Sequence, residues 1–188
     1  MRLFAKLLTV PLVVLSLLPF AAPVAAATLT GDTVTSQYYF PTGGNLLGTD
    51  TSIVGAGVEI ACPGASGVCG IGLQGSYTVD FTSDTISFDQ QLVGPNAYTG
   101  AAFNGWVFSS LDFGTAITSL DLFSYGIAGL NASRLSFTND TITLNLQGLA
   151  VEANNGWRVR LNPVPVPASG VLLVVGLGGL ALMRRRQS

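Results

Sequence analysis

Residues 77–89 read Tyr77-Thr78-Val79-Asp80-Phe81-Thr82-Ser83-Asp84-Thr85-Ile86-Ser87-Phe88-Asp89. Tyr77, Val79 and Phe81 fall on one parity of the first arm, and Ile86 and Phe88 on one parity of the second. Hydroxyls and carboxylates fill the positions between. An extended chain sends successive side chains to opposite faces, so this spacing makes each arm a strand with one apolar face. Thr82-Ser83-Asp84 supplies the short polar residues that a tight turn needs. The stretch therefore reads as a β-hairpin with one face in a core and the other in water.

The same period extends outward in both directions. Thr33 to Phe40 is predicted as a first strand, rich in threonine, valine and tyrosine. A stretch with ten glycines between Phe40 and Ser76 follows, broken by a predicted strand from Ile53 to Ala61. Two further strands are predicted over Gly105 to Asp112 and Ile117 to Phe123. Ser133 to Leu146 reads as a second hairpin. Leu135 and Phe137 alternate on one arm, Ile142, Leu144 and Leu146 on the other, and Asn139-Asp140 form the turn. The last predicted strand is Trp157-Arg158-Val159-Arg160-Leu161. A count of about eight or nine short strands without a helical stripe predicts an all-β fold, an antiparallel β-sandwich of jelly-roll type.

Charge limits what this domain can do. All ten acidic residues lie in residues 28–161, with only Arg134, Arg158 and Arg160 as bases, a formal charge of −7. Nucleic-acid binding needs a basic stripe to displace phosphate counterions, and none is present. The chain has no histidine, which rules out Ser-His-Asp and Cys-His catalysis and histidine-based zinc or copper sites. The domain is expected to be non-enzymatic and to carry no cofactor or metal.

Both ends of the chain differ from the middle. Arg2 and Lys6 precede an apolar run from Leu7 to Phe20, and the small-residue site Ala25-Ala26-Ala27 follows. These are the charged, apolar and cleavage regions of a secretory signal peptide, residues 1–27, cut by signal peptidase to leave Thr28 first. An uncleaved signal anchor is the alternative. Export changes how the only two cysteines read. Cys62 and Cys69 flank a Gly/Pro-containing loop, and in an oxidising compartment such a pair is expected as a disulfide worth about 2.5 kcal/mol.

The C-terminal segment, residues 162–188, begins with Asn162-Pro163-Val164-Pro165-Val166-Pro167, a proline-alternating tether that cannot be helical. An apolar stretch, residues 168–183, then leads to Arg184-Arg185-Arg186. As a transmembrane helix it would span only about 24 Å of a hydrocarbon core of about 30 Å, and the arginines would remain cytoplasmic. Val164-Pro165-Val166-Pro167-Ala168, the apolar Gly/Leu run and the basic cluster together resemble the PEP-CTERM family of sorting signals, in its VPLPA variant, with Val166 where leucine is usual. The resemblance covers only this segment. It implies recognition near the proline motif by an exosortase, removal of the helix, and release or attachment of the protein at the cell surface, often alongside exopolysaccharide. The membrane would then be a transient partner. An ordinary C-terminal membrane anchor is the alternative.

Within the middle domain, Tyr38, Tyr39, Tyr98, Phe103, Trp106 and Trp157 invite a sugar-stacking reading, although alternation assigns most large aromatics to the core. Tyr39 and Tyr98 are the rings expected at the surface, and so the glycan contacts of a carbohydrate-binding module. Asp80, Asp84 and Asp89 could be read as calcium ligands, but no calcium-loop motif joins them and a solvated hairpin face accounts for them. A hydrolase working through two carboxylates is the remaining alternative; no particular pair stands out for it.

Overall fold

The two hairpins legible in the sequence each lie in a separate antiparallel sheet, and their apolar faces meet. The computed structural model describes residues 27–164. Pro165, Val166, Pro167, Ala168 and Arg184 to Arg186, like the expected signal and transmembrane helices, lie outside the described residues.

Eleven strands run in chain order: β1 Thr33–Tyr39, β2 Leu46–Ile53, β3 Ile60–Cys62, β4 Ser76–Phe81, β5 Thr85–Gln91, β6 Asn96–Ala97, β7 Gly105–Ser109, β8 Ile117–Ile127, β9 Leu135–Phe137, β10 Ile142–Asn145 and β11 Ala150–Pro163. One sheet has the order β2-β1-β7-β10-β9, the other β3-β4-β5-β11-β6, with β8 also paired to β11. Every pairing is antiparallel. The architecture is an all-β sandwich.

Period-two burial builds the core. Tyr77, Val79 and Phe81 of β4, Ile86 and Phe88 of β5, and Trp157, Val159 and Leu161 of β11 are all buried in the second sheet. Val34 and Tyr38 of β1, Trp106 and Phe108 of β7, and Ile142 and Leu144 of β10 face them from the first. Phe88 and Trp157 are directly paired across β5 and β11 and stack with centroids 5.6 Å apart. Trp106 and Phe108 stack at 5.6 Å within β7, and Phe81 meets Phe108 edge-on at 5.7 Å across the sandwich. Each such ring contributes about 1.5–3 kcal/mol through burial, with about 0.5–1.5 kcal/mol more from ring geometry.

Both predicted turns form. Thr82 N–H donates to Thr85 O at 2.9 Å, and Thr138 N–H to Thr141 O at 2.9 Å. Other expectations need correction. The predicted strand from Ile53 to Ala61 is mostly loop, and β2 ends where it was to begin. As an edge strand, β2 buries little, so its Gly48-Thr49-Asp50-Thr51 core reads as a turn. The strand expected to reach Asp112 stops at Ser109, because Ser110 adopts a left-handed φ of 62° and redirects the chain. β8 continues past Phe123 to Ile127, and β11 starts seven residues before Trp157, at Ala150. These two long strands are paired through a register shift between Val151 and Gly156, opposite Gly126 with φ 63°. Phe137 lies on the edge strand β9 and is exposed rather than core.

The two ends of the described chain lie together. Leu29, fully buried, donates its N–H to Ser83 O at 2.9 Å, and Leu161 donates to Asp84 O at 2.7 Å. The chain thus enters and leaves beside the β4–β5 turn. β4, β5 and β11 all extend from this pole towards the opposite one, where the loops 62–76, 91–105 and 145–150 gather.

Candidate functional site

At the pole opposite the chain ends, the loops 62–76 and 91–105 contribute most of the wall of a cavity of about 260 Å³. Its wall has one origin in the disulfide loop. Cys62 and Cys69 are bonded, with Cα atoms 5.3 Å apart, as the sequence predicts. Between the two cysteines, the chain folds back on β2 of the other sheet, so closely that a β-carbon on Gly48 would meet Gly67 O at 2.7 Å. Val68 is fully buried, and its carbonyl accepts the Tyr77 hydroxyl at 2.5 Å. This anchoring sets Ile71, Gly72 and Leu73 along one side of the cavity.

Carboxamides and tyrosines supply the polar lining. Tyr38 Oη donates to Asn104 Oδ1 at 2.5 Å, and Asn104 Nδ2 donates to Thr99 O at 3.0 Å. Gln90 Nε2 donates to Gln74 O at 2.8 Å, and Asn96 Nδ2 to Gln74 Oε1 at 3.0 Å. Gln90 and Asn104 are themselves buried. Phe40, Leu47, Leu92 and Val151 complete the apolar part. No lining side chain is ionised at neutral pH. Burial, reinforced by the neighbouring tyrosines, pushes the Tyr38 hydroxyl well above its usual range, and burial does the same at Tyr98.

Tyr98 does not present the surface ring expected of it. It is only 6% exposed, because its N–H donates to Leu149 O at 2.9 Å and its carbonyl accepts from Gly148 at 3.0 Å, fixing the ring within the pole. Its hydroxyl is buried and has no hydrogen-bond partner among the described residues. Leaving a buried hydroxyl unpaired costs about 1–3 kcal/mol. Tyr39, on the opposite parity of β1 from Tyr38, is half-buried and does not line the cavity.

Two exposed aromatics lie together elsewhere, on the outer face of the second sheet. Phe123 is 60% exposed and Tyr125 39%, next to each other on the outward parity of β8. The register places Tyr125 beside Gly156 and then Asp89, and Phe123 beside Arg158 and then Ser87. Tyr125 reaches across Gly156 to donate its hydroxyl to Asp89 Oδ1. Burial, with this bond to a carboxylate, pushes Tyr125 up to about 12. A groove of about 360 Å³ runs alongside, lined by Thr78, Asp89, Gln91 and Asn154. The sequence carried the signal for this face. Leu120 and Leu122 take the inward parity of β8, which leaves Asp121, Phe123 and Tyr125 outward together.

The three carboxylates considered as calcium ligands are held apart. Asp84 pairs with Arg160 Nε at 3.0 Å at the turn, and Asp89 is engaged by Tyr125 near the far end of β5. Asp80 sits on β4, where partial burial and the charges of Glu59 and Asp89 raise its carboxyl above the usual value, with Arg158 opposing. Among the described residues no three acidic or cysteine side chains converge as a metal site would require. Glu59 serves structure: its carboxylate accepts Gly55 N–H at 2.9 Å and Phe81 N–H at 2.8 Å.

Of the C-terminal motif, Val164 is described. It is 43% exposed, and its N–H donates to Ala116 O at 3.2 Å, so the sheet holds the motif's first residue. Comparison of the chain with models of known families, with curated proteins and with solved structures finds no match.

Proposed function

We propose that this chain is an exported, non-enzymatic surface or matrix-associated protein, sorted through its C-terminal segment. In this reading, signal peptidase removes residues 1–27, the segment 168–183 holds the chain in the membrane as a helix, and an exosortase acts near Val164-Pro165-Val166-Pro167-Ala168. The observation that carries the reading is the order of these last elements: proline motif, short apolar run and Arg184-Arg185-Arg186. The fold supports it. β11 leads straight into the motif at Pro163. The Cys62–Cys69 bond suits an oxidising compartment.

The double substitution Pro165→Ala, Pro167→Ala tests this in the native host. The account expects the processed form to disappear and the full chain to accumulate in membranes. Unchanged processing would remove the motif from the account.

A second reading is favoured by one observation, the exposed pair Phe123 and Tyr125 beside Asp89 and Arg158. Aromatic faces next to hydrogen-bonding groups suit a saccharide, so the displayed domain would hold exopolysaccharide.

A further inference from the structure

The polar cavity and the outer aromatic face are separate surfaces, and the cavity has the more selective chemistry. We propose that the cavity at the pole opposite the chain ends is a binding site for one uncharged, hydroxyl-rich ring, a neutral sugar unit. This rests on the saccharide-binding reading and moves its site from the outer face to the pole.

Charge is the first argument. The domain carries ten acidic residues, yet the cavity wall has no ionised side chain. A charged ligand would find no counter-charge there, and a metal ion no carboxylate. The second argument is the kind of polar group. Carboxamides and tyrosine hydroxyls both donate and accept, as sugar hydroxyls do. Gln74, Gln90, Asn96 and Asn104 supply the first, Tyr38 and Tyr98 the second. Phe40, Leu73 and Leu92 offer apolar surface for the C–H face of a ring. A purely apolar ligand would leave the Tyr98 hydroxyl unmatched. At about 260 Å³ the space suits a single ring, since sites for larger ligands run to about 300–1,000 Å³.

Tyr98 provides the third argument. Among the buried side-chain polar atoms that lack a partner, its hydroxyl is the one carried by a residue lining either described cavity. No group of the wall lies within hydrogen-bond distance of it, and in this proposal a hydroxyl of the ligand supplies the missing bond. Hydrogen bonds on both sides fix the Tyr98 backbone, and the Tyr38–Asn104–Thr99 chain is already formed, so little ordering remains on binding.

The test uses the detergent-solubilised full chain, titrated with glucose, galactose, mannose and N-acetylglucosamine and read by tryptophan fluorescence. Trp106 reports on the cavity, its ring centroid standing 5.0 Å from that of Tyr38. Saturable binding of at least one sugar is expected. Tyr98→Phe should weaken it about tenfold while raising the melting temperature, since it removes both a ligand contact and an unpaired buried group. Ala97→Trp, at an exposed position on the rim, should abolish binding, and Phe123→Ala should leave it unchanged. Binding lost on Phe123→Ala but retained in Tyr98→Phe and Ala97→Trp would overturn the cavity assignment and leave the saccharide-binding reading on the outer face. No saturable binding of any of the four sugars would overturn both.

Discussion

Gly156 carries the ring of Tyr125: a β-carbon there would stand 2.8 Å from both Cε1 and Oη of the tyrosine. It would also press on the carbonyl of Phe88, in the backbone of the neighbouring strand. Gly156→Ala should therefore destabilise the domain by about 1–3 kcal/mol, measured by urea unfolding. Adding Tyr125→Ala should recover only part of the loss, since the Phe88 carbonyl cannot move as a side chain can. Full recovery would mean that the ring alone sets the constraint.

The disulfide ties the pole together. Replacing Cys62 and Cys69 by serine should cost about 2–3 kcal/mol and speed amide exchange over residues 66–73, where the loop rests on β2. A melting temperature equal to that of the parent would show that Val68 and Tyr77 hold the loop without the bond.

Asp80 should make the fold less stable as pH rises. Its carboxyl is raised above the ordinary aspartate value in the folded state, so the unfolded chain gives up this proton first. Stability is then highest below the unfolded value and falls as pH climbs through the folded one. Asp80→Asn should stabilise the protein at pH 7, and the gain should vanish in acid below the ordinary carboxylate range. A gain that persists there would assign it to something other than charge.

The alkaline limb follows the same sign. Burial, with the nearby charge of Asp50, holds Tyr77 up at about 12, above the ordinary tyrosine value of about 10, and Tyr125 behaves alike. The unfolded chain ionises first, so stability should decline from about pH 10 upward. Tyr125→Phe should flatten that decline in pH-dependent melting curves, whereas an unchanged slope would remove Tyr125 from it.

The Arg160–Asp84 pair should matter little. Arg160 is 64% exposed, so Arg160→Ala should change stability by less than about 1 kcal/mol. A larger loss in urea unfolding would show that the pair secures β11 to the β4–β5 turn.

The sequence showed the fold where strands are half-buried and hid it at the edges. Tyr77, Val79, Phe81, Ile86 and Phe88 alternate because one face of β4 and β5 meets a core, and the pattern survives in the residues themselves. β2 has no such face, so nothing in Gly48 to Thr51 distinguishes it from a turn. The outer aromatic face could be read from parity, since Phe123 and Tyr125 share theirs with Asp121. The cavity could not. Tyr38, Gln90 and Tyr98 are brought together by pairings between distant strands, and the burial of Tyr98 depends on the 145–150 loop, about 50 positions further along the chain.

The central claim is sorting through the C-terminal segment, and intact mass tests it most directly. The protein should be recovered from its native host in membrane, surface-washed and medium fractions, and each fraction weighed. The account predicts a species that starts at Thr28 and ends near Pro167, with or without an added group, outside the membrane fraction. A species that retains residues 171–188 and occurs only in membranes would contradict it and make the segment an ordinary anchor.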